Sequence, residues 1–62
     1  MDWNNWIGKR IFVKLNSGAC YTGNVFDVTE KENKIMMFIL DKFKKSVGFD
    51  VVDIDKIVEE ER

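Results

Sequence analysis

The 62 residues, 45% hydrophobic and 34% charged, suffice for one small domain and leave no room for a linker or a second core. A single cysteine, Cys20, and no histidine exclude an intramolecular disulfide, the usual zinc ligand sets and histidine-assisted nucleophilic catalysis. A formal net charge of -1 argues against a diffuse electrostatic grip on duplex nucleic acid, and charge alone selects no partner.

Asp2 precedes Trp3, Trp6 and Ile7, which fall at helical spacing, and Gly8 follows directly. This pattern predicts a short amphipathic helix over 2–8, capped by Asp2, stopped by Gly8 and lying as a lid over an open end of the core. From Arg10 the period drops to two. Ile11, Val13 and Leu15 share one face and Arg10, Phe12 and Lys14 the other, as in a half-buried strand. Asn16, Ser17 and Gly18 supply turn chemistry before a second extended run, Ala19 to Val28, so the pair forms a hairpin. Gly23 sits in the middle of that run, where a glycine permits a bulge or a sharp bend.

The polar stretch Thr29 to Asn33 interrupts the pattern, and Lys34 to Leu40 follows as a strand apolar on both faces. Asp41 to Ser46 is a basic hairpin tip that carries Lys42, Lys44 and Lys45 around Phe43. Val47 to Val52 reads as a fourth strand, Ile54 to Val58 as a fifth entered by a tight turn, and 59–62 as a charged tail. The expected fold is mostly β: a short N-terminal helix, then five antiparallel strands over 10–58, strongly bent into a small, partly open barrel.

This composition points away from an enzyme, because so short a chain has little space for a substrate pocket beside its own core. No cofactor or metal site is expected. The chain shows neither a charged leader nor an apolar run near the ~20 residues that cross a bilayer, from which a cytoplasmic location is expected and no membrane partner. With disulfide and metal excluded, self-association is the remaining way to bury more surface.

The order of elements resembles the Sm and Sm-like proteins, whose fold is an N-terminal helix on a strongly bent five-stranded barrel. Ile7 to Gly18 is similar to the opening of that family's first motif: Gly-Lys, alternating hydrophobics, Lys-Leu, a polar residue and Gly. Tyr21, Gly23 and Val25 match its aromatic, its bend glycine and its leucine, and Val28 the next hydrophobic position. Asn33 falls ten residues after Gly23, where the family carries a base-contacting asparagine, and Asp53 to Ile57 resembles the end of the second motif.

The family's uridine pocket combines an aspartate, a stacking side chain, that asparagine, and an arginine before a glycine. The matching positions here hold Thr29, Lys31, Asn33, and Asp50 before Val51, so only Asn33 is retained. SH3-like and Tudor barrels share the strand number.

The resemblance implies a homo-oligomeric ring that binds single-stranded RNA through Asn33, Lys31 and Thr29 or serves as the core of a ribonucleoprotein. Its subunits would join along the edges that contain Val47, Phe49, Val51, Ile54, Ile57 and Val58. The alternative is a barrel that holds protein partners without RNA.

Overall fold

The alternating stretch from Arg10 becomes β1 (Arg10–Leu15), with Ile11 and Val13 fully buried and the intervening side chains outward. The structure, a computed structural model, describes residues 3–60, so Asp2 and the end of the charged tail lie outside the described residues. The Asn16–Gly18 turn closes on Gly18 at φ 96°, a left-handed conformation open to glycine at no steric cost, and β2 (Cys20–Lys31) runs back. It is followed by β3 (Lys34–Leu40), β4 (Ser46–Asp50) and β5 (Ile54–Glu59), all antiparallel in the order β4-β3-β2-β1-β5.

Three expectations need correction. The N-terminal segment is not an α-helix but a four-residue 3-10 turn, Trp3–Trp6, because so few residues do not repay α-helix nucleation. It is anchored by backbone bonds from Gly8 N–H to Val25 O and from Val25 N–H to Lys9 O, and both tryptophans pack on the core. Thr29 to Lys31 belong to β2 rather than to a loop. Glu32 takes a left-handed φ of 58°, which reverses the chain in two residues and keeps Lys31 paired with Lys34. Finally, Val51 and Val52 are not strand: Val51–Asp53 forms a 3-10 turn, capped by Asp50 Oδ1, which accepts the Val52 amide at 3.0 Å.

β2 is shared between two neighbours. Cys20 to Asn24 pair with β1, Asn24 to Lys31 pair with β3, and the register slips around Phe26, which therefore bulges. Gly23 lies at the changeover: a Cβ there would stand 2.5 Å from Leu40 O. The glycine thus permits close passage of two backbones, as a bend position requires.

The strand order sets the curvature. β4 and β5 occupy opposite edges, yet only Val51–Asp53 joins them. Four spacings in a flat sheet amount to ~19 Å, whereas three residues of 3-10 turn advance only ~6 Å. The sheet must therefore curl until its edges approach. Among the described residues no ladder joins β4 to β5, so the sheet is not closed into a barrel.

The concave side collects Ile11, Val13, Val25, Met37, Ile39 and Phe49, ringed by Leu15, Tyr21, Val28, Ile54, Ile57 and others. Tyr21 and Phe49 stack with centroids 6.5 Å apart. The outward face of β3 is only partly covered: Phe38 is half-buried against Phe26 and over Gly48.

Candidate functional site

Pairing places Thr29, Met36 and Asp50 in one row across β2, β3 and β4, with Lys31 opposite Lys34 two rows further along, beyond the Glu30–Ile35 pair. Together with Glu32, Asn33 and Val52 they line one open depression at the β2–β3 turn. The structure thus brings together all three residues expected to bind RNA, and with them Asp50, the other position matched to the family's pocket, from 17 positions beyond Asn33.

The chemistry of this depression is mixed. Lys31 and Lys34 are like charges directly opposite one another, an arrangement that costs energy unless an anion comes between them. Neither makes an ion pair among the described residues. Glu32 and Asp50 balance them in number, and one Asp50 oxygen is engaged by the Val52 amide. No aromatic side chain lines the depression. Sequence reasoning missed Lys34, Met36 and Val52; the signal for Lys34 was the Lys-x-x-Lys spacing across a two-residue turn.

A second, smaller cleft of about 380 Å³ lies at the other end of β3, lined by Arg10, Thr22, Gly23, Asn24, Leu40, Asp41, Lys42, Phe43 and Glu60. Asp41 organises its rim. Its Oδ1 accepts the amides of Phe43 and Lys45 at 2.8 and 2.9 Å, and its own N–H donates to Lys45 O. Arg10 Nε donates to Glu60 Oε1 at 3.3 Å, and Lys42 Nζ lies 5.2 Å from the Phe43 ring centroid.

Of the expected interface residues, Phe49 is buried, and Val47, Val51, Ile54 and Ile57 pack against the core. Val58 is 41% exposed, and Val52, outside the expected set, is 74% exposed. An edge contact would therefore rest on the unpaired backbone of β4 and β5 and on these two valines.

No protein-family model, curated protein or solved structure matches the chain.

Proposed function

We propose that this chain is an Sm-like subunit that joins edge to edge with its own copies in a homo-oligomeric ring and holds single-stranded RNA at Thr29, Lys31 and Asn33. The observation that carries the reading is the strand order: β4 and β5 are the two edges, each bonded to one neighbour only, and a curled sheet brings them close without pairing them. An unpaired edge is a template for another strand, and a closed ring of copies satisfies every such edge. Repetition then raises the local concentration of weak sites to the millimolar scale, so a lysine pair and an asparagine in each subunit sum to useful avidity. The reading assigns no catalytic step and no cofactor.

The test combines sedimentation with titration of labelled oligo-uridine at two salt concentrations. The expected result is a mass several times that of one chain, together with salt-dependent binding. For single strands log K falls by about 0.7 per neutralised phosphate on a logarithmic salt axis, and Lys31→Ala should reduce that slope. Asn33→Ala should weaken binding with the slope unchanged. A strict monomer at high micromolar concentration removes the ring.

A second reading, an oligomeric scaffold for protein partners, is favoured by one observation: the depression offers no ring for a base to stack on and no surplus of positive charge. Assembly without RNA binding at low salt would select it.

A further inference from the structure

We infer that the cleft below the β3–β4 loop binds a nucleotide unit, with the base stacked on Phe43 and the phosphate held by Arg10 and Lys42. At about 380 Å³ the cleft falls within the ~300–1,000 Å³ range of small-ligand sites. Its wall holds what the first depression lacks. Phe43 is 71% exposed, yet it rides on a loop fixed by two amide bonds to Asp41 Oδ1 and by the exchange of backbone bonds between Asp41 and residues 44 and 45. The backbone that carries the ring is thus held in place, so stacking has only the Phe43 side-chain rotamers left to order.

The charges that line the cleft balance, Arg10 and Lys42 against Asp41 and Glu60, but the adjoining loop adds Lys44 and Lys45, which like Lys42 have no ion pair among the described residues. Arg10 meets Glu60 through Nε, which leaves its terminal nitrogens to form a fork for phosphate. Thr22 and Asn24 complete the wall. An asparagine amide both donates and accepts, which suits a base edge, and the threonine hydroxyl suits a ribose. All these groups belong to one chain, so the inference stands apart from the ring and from the β2–β3 turn.

The experiment is an NMR titration of the labelled full chain with adenosine 5′-monophosphate, inorganic phosphate and a six-nucleotide oligoadenylate. The expected result is amide shifts in residues 22–24 and 41–45 with the nucleotide, and weaker binding of phosphate alone. Phe43→Ala should lose about tenfold in affinity, and Phe43→Tyr should keep it. Tighter binding of the oligonucleotide than of the mononucleotide identifies a strand as the source; equal binding identifies a free nucleotide; both uphold the site.

The inference is overturned if millimolar nucleotide leaves those amides unmoved. It is also overturned if phosphate binds as well as the nucleotide, or if a folded Phe43→Ala binds like the parent. Shifts confined to 29–36 and 50–52 would overturn it while leaving the proposed RNA site standing.

Discussion

Gly23 and Leu40 pass so closely that a Cβ on the glycine would lie 2.5 Å from the Leu40 carbonyl oxygen and 2.9 Å from its carbon. Both atoms are backbone, so no rotamer change relieves the clash; β2 would have to move away from β3 at the place where the sheet turns. Gly23→Ala is expected to cost about 1–3 kcal/mol, the usual range for overpacking, read as a lower urea midpoint. An unchanged midpoint would show that the bend does not depend on that approach.

Gly48 presents the contrasting case. A Cβ there would meet Phe38 ring atoms at 2.6 and 2.8 Å, and the ring lies on the half-exposed outer face where it can swing. Gly48→Ala should cost less than Gly23→Ala, and in a double-mutant cycle Phe38→Ala should cancel most of the cost. Additive losses from the two changes would place the strain elsewhere.

Ile39 is fully buried at the centre of the core. Truncation to alanine removes about 2–5 kcal/mol, a large share of the roughly 3–9 kcal/mol that 62 residues sustain. Ile39→Ala should leave a substantial unfolded fraction by circular dichroism, whereas Ile39→Val should stay folded with a modestly lower melting temperature.

Glu32 combines a left-handed backbone with a negative charge beside Lys31 and Lys34. Asparagine adopts this conformation more readily, and a non-glycine residue there carries a penalty of about 1–2 kcal/mol. Glu32→Asn should raise thermal stability and tighten oligo-uridine binding together. Tighter stability with unchanged RNA binding would sever this turn from the proposed function.

Val58 is the exposed hydrophobic side chain of β5, paired across the ladder with Phe12. Val58→Asp should lower the sedimenting mass without changing the circular dichroism spectrum. Ile54→Asp, by comparison, would damage the core as well, because Ile54 packs against it. An assembly indifferent to Val58→Asp and Val52→Asp would locate the contact away from these edges.

Much of the fold was legible before any coordinates. The two-residue period marked β1 and β3 to within a residue, and Gly18 and Gly23 marked the turn and the bend, because these features depend on local sterics and on which side of a strand is apolar. The errors fall where local preference was outweighed. Thr29 to Lys31 looked like loop because they are polar, yet the ladder to β3 holds them as strand; Val51 and Val52 looked like strand because they are β-branched, yet the chain must cross there from one edge to the other.

The candidate sites divide in the same way. Thr29, Lys31 and Asn33 are close in sequence and were grouped at once, whereas Arg10, Asn24 and Phe43 share a cleft only because β2 passes from β1 to β3 at Gly23. What the amino-acid order determined by itself is the strands, the turns and the apolar face, each a property of a few neighbouring residues. What only the tertiary structure decided is the open seam between β4 and β5, the place of Lys34, Met36 and Val52 beside the first site, and the cleft that joins Arg10, Asn24 and Phe43, since these depend on how far a three-residue connection can reach and on which distant rows the sheet brings together.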